Sequence, residues 1–555
     1  MTSMKPETCK ALGLTAVCLA TQFPWANAAT YYISSSQGSD ASSATSSNAP
    51  WASLSKASST HFVAGDSLLL RAGDVFEGPL SLNYGGSSGS RVAIDRYGTG
   101  ANPIIYGDHS NAVWTSVGGH PGIYSTMLPG NSLVEHVYDI NGVAYTLTKQ
   151  GTNTLDKWLA TFVPTNWGGI NQTTIYIMTP DRNAPPQMHL LEWATLRMGK
   201  SYITVQNMDI YAGSFGIACS AGTGLVLRNN YIHDTFNIGI YLGSWCVNSE
   251  VCTNVITRTG ETSIYLSKAG NMWVHHNTIS YTIGTILGCS LPSKPTPERC
   301  GVGLQQGTNN LVEYNSISYM YGSCFDYWAE VGSEVRYNYG FHSTGGAYPT
   351  GTALLVHHNI FNLDHAGPGI NGGYDYEPTL NPSTNTGPIL VYNNVVYNFV
   401  NYGLFSGSSS NATIYRNNII VATTATNALV QYVPQIGSDY NLYWSTPTPK
   451  GWFWNNTNNT SFAAFRVTSG QESHGLYADP QFVSANPVVA ADFQLKSNSP
   501  CINAGQNLKL ASLLAPAVQY QDYLGTPIPK GTGPDIGAYE KIPSLGPPSD
   551  LHQIK

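Results

Sequence analysis

Charge is scarce in this sequence. Lys and Arg number 25 and Asp and Glu 32 among 555 residues, so only 10% of side chains are charged and the formal net charge is −7. That balance argues against a nucleic-acid partner, which needs a basic face, and weighs mildly against a strongly anionic polymer as substrate. Long apolar runs are also missing. Beyond the first twenty residues no segment offers the roughly 18 uninterrupted apolar residues that a membrane-spanning helix needs. No CxxC pair occurs, so a structural zinc site has no support, and no Asp-rich calcium loop is present. Low charge combined with 35 Tyr and 56 Gly excludes a disordered chain and points to stacked structure with polar turns.

The first stretch reads as an export signal. Lys5 and Lys10 precede a mostly apolar run from Ala11 to Ala20, and Ala26-Asn27-Ala28 has the A-x-A form of a cleavage site. The expected mature protein starts near Ala29 and is secreted, to the periplasm or beyond. Cys9 and Cys18 would leave with the signal, and seven cysteines would remain: Cys219, Cys246, Cys252, Cys289, Cys300, Cys324 and Cys501. Cys289 and Cys300 bracket a long loop, and a disulfide closing it suits an exported protein. The other cysteines read as buried coil residues.

What the chain has in quantity is an asparagine repeat. Asn207, Asn230, Asn254, Asn277, Asn315, Asn338, Asn359, Asn394, Asn418 and Asn441 follow one another at spacings near 23 residues, with two longer steps that mark insertions. The repeat is too short for a propeller blade and lacks the helix formers of leucine-rich or helical repeats. Its segments are β-branched runs such as Leu225-Val226-Leu227 and Gly239-Ile240-Tyr241-Leu242, punctuated by Asn, Gly and Ser. These features predict an all-β fold, a right-handed parallel β-helix solenoid whose Asn turns stack into a ladder.

Around this region the expected organisation is a signal over 1–28, an N-terminal cap and first coils over 29–110, and an inserted β-rich subdomain over 111–192. The main coils follow over 193–450, then C-terminal coils and a cap over 451–540, and a tail over 541–555. The opening strand with Pro50-Trp51-x-x-Leu54 carries a resemblance, together with the Asn coils and the closing Asp479-Pro480-x-Phe482 and Asp535-Ile536-Gly537-Ala538-Tyr539-Glu540. These features resemble secreted bacterial right-handed parallel β-helix proteins, a group that includes polysaccharide lyases, glycoside hydrolases and uronate epimerases. The resemblance implies a carbohydrate-directed role and leaves the reaction open.

Strand alternation identifies a working face. If Ile217, Ile240, Ile264, Val302 and Phe325 point inward, then Tyr241, Tyr265, Ser267, Gln305, Asp326 and Trp328 point outward. Two coils further on, Asn371 and Asp375 fall on the same face. Both long insertions, from Thr285 to Arg299 and from Glu377 to Thr386, flank it, as loops on a solenoid's binding face do. Aromatic rings for stacking beside amides and carboxylates for hydroxyl groups make a carbohydrate groove. The predicted substrate-binding residues are Tyr241, Tyr265, Gln305, Trp328, Asn371 and His233, the last at a turn leading into this face.

Three functions compete. In a hydrolase, Asp326 and Asp375 would act as acid and base; about 9–10 Å apart, they suit inversion. Glu377 or Glu330 would be the reserve. In a β-eliminating lyase, Lys268 would remove the proton beside a uronate carboxylate. Glu261 to Lys268 is similar to the Glu-to-Lys strand of alginate lyases and chondroitinase B-like enzymes. Those relatives have an Arg in the next coil where this chain has Leu304-Gln305-Gln306-Gly307, and Arg299 would have to substitute. The third reading is a non-catalytic glycan-binding surface protein. No cofactor is required. A Ca²⁺ ion near Asp326, Asp375 or Glu377 is compatible with a hard cation's preference for oxygen. His275-His276 and His357-His358 lie three coils, about 14 Å, apart, too far for shared ligation, and His275 and His357 are expected to join Arg228, Glu313, Arg336 and Arg416 in a charged surface stripe. A polysaccharide is the expected partner, bound by a monomer.

Overall fold

The computed structural model describes residues 28–128, 131–140, 144–149, 167–171, 174–179, 181–185, 187–282, 285–286, 289–290, 300–363, 388–399, 402–405, 413–424, 428–432, 436–515 and 520–542. The backbone winds into stacked coils with three flat faces, and strands of successive coils pair in parallel. The first face holds thirteen strands, from Thr30–Ile33 to Gly437–Asp439. The second also holds thirteen, from Val75–Glu77 to Leu476–Tyr477. The third runs through eight strands from Leu80–Leu82 to Gly345–Tyr348. Beyond it, Tyr402–Phe405, Ala428–Tyr432 and Gly451–Trp454 form a further parallel set.

Each face follows from residue alternation. On the first, Val205, Leu227, Val251, Val274, Val312 and Val335 pair in register and are fully buried. On the second, Ile210, Ile232, Ile256, Ile279 and Ile317 do the same. β-branched side chains suit the pleated backbone, and burial of each stabilises the fold by about 1.5–3 kcal/mol. The core is therefore a set of stacked aliphatic columns that lengthens with every coil.

The corner between the first and second faces holds the ladder. Asn277 donates from both its backbone N–H and its Nδ2 to Asn315 Oδ1, at 3.0 and 2.9 Å, while Nδ2 also donates to the Val251 carbonyl at 2.9 Å. The same triad of bonds recurs from Asn230 to Asn418. Asn207 stands one residue off the expected register. Met208 occupies the ladder position, and its N–H donates to Asn230 Oδ1. Asn207 instead takes the left-handed φ of 59°, matching Asn229, Thr253, His276, Tyr314 and Tyr337 in later coils. A left-handed residue before each ladder position turns the corner, which the ladder bonds hold in place. At the far end Glu472 replaces the next Asn: its buried carboxylate accepts from the backbone N–H and Nδ2 of Asn441 at 3.2 and 2.8 Å.

Seven strands between Thr115 and Glu192 form a separate sheet, mostly antiparallel, around Val137, Ile175, Ile177, Met188 and Leu190. Near the N-terminus, the helix Leu54–Ser58 is capped by the Ser53 side chain and contributes Leu54 and Ala57 to the core. Past Tyr477 the described residues pack on the outside of the coils. Leu508, Leu514 and Tyr520 cover Leu390 and Tyr392 of the first face. Phe482, Phe493, Ile536 and Tyr539 cover Ile360, Val395 and Ile419 of the second. The Asp535–Glu540 segment is tied down by Asn393, whose Nδ2 donates to the Asp535 and Gly537 carbonyls. Gly537 has a φ of 103°, which strains any other residue, and a Cβ there would also lie 2.5 Å from Ile419 Cδ1.

Candidate functional site

The third face carries a continuous outward row. Arg197, Ala218, Tyr241, Tyr265, Gly303, Asp326 and Tyr348 pair in register from one coil to the next. Beneath them Leu196, Ile217, Ile240, Ile264, Val302 and Phe325 are buried, which orients the outward neighbours. A second outward row holds Ser267, Gln305 and Trp328. From Arg197 to Asp326 are five strand steps, about 24 Å, a length suited to an extended oligomer.

Aromatic rings pave this face. Trp193 meets Phe215 edge-on at 5.6 Å, Phe215 stacks on Tyr241 at 5.4 Å, and Tyr241 lies 6.0 Å from Tyr265. Glycines make room for the rings: a Cβ on Gly303 would lie 2.8 Å from Tyr265 Cδ2, and one on Gly243 would lie 2.9 Å from the Tyr241 ring. The Tyr265 phenol donates to Gln305 Oε1, which fixes the amide beside the ring. Asp326 is partly buried on a regular strand, and Trp328 is 50% exposed at that strand's end.

At the N-terminal end of the row a cavity of about 580 Å³ opens between the helix Leu54–Ser58 and the strand Ala194–Met198. Trp193, Arg197, Asn131, Ser58, Ala218 and Ser220 line it. Arg197 donates to the Asn131 carbonyl and pairs with Glu192. Glu192 is fully buried and also contacts His109 Nε2 at 2.7 Å, while His109 Nδ1 meets Glu77 at 3.2 Å. Burial pulls the His109 pKa down, but its bonds to Glu192 and Glu77 outweigh this and raise it to about 9. A protonated imidazole between two carboxylates thus joins the inserted sheet to the first coils.

The structure brings Tyr241, Tyr265, Gln305, Asp326 and Trp328 onto one face. Lys268 is exposed directly after the same strand as Tyr265, in a left-handed turn with φ 56°, and its N–H donates to the Gln305 carbonyl at 2.6 Å. Glu330 departs from expectation. It is fully buried, accepting from Gly307 N–H at 2.7 Å, Asn310 Nδ2 at 2.5 Å and Ser333 Oγ at 2.8 Å, so it locks a turn and is closed to substrate. His233 lies on the second face, between Asp209 at 2.9 Å and Asp234 at 2.5 Å, with Arg258 on Asp234. Its ring stacks on Tyr211 and Tyr231, away from the third-face row. Asn371, Asp375, Glu377 and Arg299 lie outside the described residues, as does the side chain of Cys289 and with it the Cys289–Cys300 pairing.

Sequence reading passed over Arg197, Trp193 and Phe215. Leu196-Arg197-Met198 has the same in-out-in pattern as Ile240-Tyr241-Leu242, and extending the alignment one coil towards the N-terminus would have found it. Arg228, Cys252, His275, Glu313, Arg336, His357, Tyr392 and Arg416 do form one register row on the first face, but His275, Glu313 and His357 are buried rather than at the surface.

A family model described as the right handed beta helix region matches residues 194–290. Together with the sheet topology, this match gives the chain a right-handed parallel β-helix fold. No curated protein sequence matches it. Among solved structures, the complex of XylC with xylose is 15% identical over 78% of this chain and 86% of that one, with a TM-score of 0.45. Pectate lyase Pel9A is 14% identical, with 92% and 96% coverage and a TM-score of 0.43. The GH136 lacto-N-biosidase from Eubacterium ramulus is 15% identical, with 81% and 66% coverage and a TM-score of 0.41.

Proposed function

We propose that the protein is a carbohydrate-active enzyme that binds a glycan along the third face and cleaves it there. The observation that carries this reading is the row of rings, amide and carboxylate from Trp193 to Trp328, laid over a rigid sheet. Tyr241, Tyr265 and Trp328 offer ring faces for sugars, while Gln305 and Ser267 offer hydroxyl partners. Asp326 is the candidate acid or base of a hydrolase, with Asp375 or Glu377 as its counterpart. The cavity beside Arg197 receives one end of the glycan. In this reading the chain is exported through its N-terminal signal, works as a monomer and requires no cofactor.

A second reading is a lyase acting on a uronate polymer, favoured by the exposed Lys268 beside the Tyr265–Gln305 pair. A screen against neutral and acidic polysaccharides decides between them. New reducing ends without ultraviolet absorbance are the hydrolase result, and an unsaturated uronate product is the lyase result. Binding without cleavage of any polysaccharide would overturn both.

A further inference from the structure

The charged stripe on the first face holds a second constellation of reactive side chains. Glu250 and Cys252 occupy alternate positions of the strand Glu250–Cys252 and so project from the same side, with Val251 turned into the core between them. The next coil places His275 directly beside Cys252. One ligand atom from each of the three, a carboxylate oxygen, the thiol sulfur and an imidazole nitrogen, lies within 4.8 Å of the others. His275 Nε2 and Glu250 Oε1 are already 3.0 Å apart.

We propose that Glu250, Cys252 and His275 bind one divalent transition-metal ion of the zinc class. Bond lengths of about 2.0–2.3 Å around a tetrahedral ion separate its ligand atoms by roughly 3.3–3.8 Å. The His275–Glu250 spacing of 3.0 Å is already near that range, and the Glu250 side chain is 34% exposed. One sulfur, one nitrogen and one oxygen suit a borderline cation and disfavour calcium or magnesium, which take oxygen alone. The fourth position is left for water.

The surroundings are those of a ligand set. Metal-bound histidines hold their second nitrogen in a hydrogen bond, and His275 Nδ1 lies 2.9 Å from His276 Nδ1. Trp273 stacks on the His275 ring at 3.9 Å and donates from Nε1 to Glu313 at 2.9 Å, which fixes the plane of the imidazole. Arg228 lies beside Cys252 in the row but is drawn towards Gln206, to which its Nε donates at 2.6 Å.

Binding rearranges protons in a defined way. The ion takes the Cys252 sulfur as a thiolate, so the thiol proton is displaced on binding. His275 Nε2 gives up its hydrogen to face the ion, and Nδ1 becomes the protonated nitrogen that donates to His276 Nδ1. His276 then carries its own hydrogen on Nε2. One proton per ion, that of the thiol, leaves the protein.

The test uses the full-length protein stripped with a chelator and titrated with Co²⁺, then with Zn²⁺ in competition. The expected result is one equivalent of Co²⁺ bound with a near-ultraviolet thiolate charge-transfer band, release of about one proton, and displacement by Zn²⁺. Cys252→Ser should abolish the band while the circular dichroism of the fold persists. His276→Ala, which leaves all three ligands in place, should weaken binding about 10–100-fold. If Cys252→Ser does not fold, the His276→Ala result decides the matter. A titration without the thiolate band, a band that survives Cys252→Ser, or unchanged affinity in His276→Ala overturns the proposal.

Discussion

The phenol of Tyr265 donates to Oε1 of Gln305 in the following coil, and its ring rests where Gly303 leaves space. Ring and amide are thus presented as a unit, 40 residues apart in sequence but on neighbouring strands. Tyr265→Phe keeps the ring and removes the bond, whose net worth is about 0.5–1.5 kcal/mol. The expected outcome in calorimetric titration with the cleaved glycan is affinity lowered by up to about tenfold. Gly303→Ala should cost more, because its Cβ must displace the ring itself.

Asp326 projects from a strand whose neighbours Phe325 and Tyr327 are buried. Asp326→Asn should therefore leave the melting temperature nearly unchanged, within about 0.5 kcal/mol of stability. Turnover on the substrate found by the screen should fall about 10²–10⁴-fold. Near-normal turnover would remove Asp326 from the reaction and make Lys268→Ala the next variant to assay.

Asn315→Ala and Glu330→Gln should do the reverse. Asn315 accepts from Asn277 and donates to the Val274 carbonyl and Asn338 Oδ1, all buried. Glu330→Gln replaces one of two accepting oxygens with a donor facing Gly307, Asn310 or Ser333. Each change strands buried polar groups, and denaturant unfolding should show a loss of about 1–3 kcal/mol. Activity of the folded fraction should remain.

Stability should fall in alkaline solution as His109 loses its proton. Its folded pKa, about 9, lies above the ordinary 6.5, so the folded state binds the proton more tightly than the unfolded chain. The contribution is fully present below about pH 6.5 and is lost as pH rises through 9. Its ceiling is on the order of 3 kcal/mol. Melting temperatures measured from pH 6 to 10 should drop across that window, and His109→Gln should flatten that part of the curve.

Much of this protein was determined by local sequence. A strand has period two, so Ile240, Ile264 and Val302 inward dictates Tyr241 and Tyr265 outward, and the Asn spacing sets which coil lies on which. Only the tertiary structure decided what happens where that period breaks. Met208 rather than Asn207 enters the ladder because the left-handed residue before it carries the corner. Glu330 turns inward at such a corner, towards Asn310 and Ser333. The pairing of His109 with Glu192, 83 residues on, has no local signal. Contacts of that kind depend on how coils and the inserted sheet pack, and packing is a property of the whole chain.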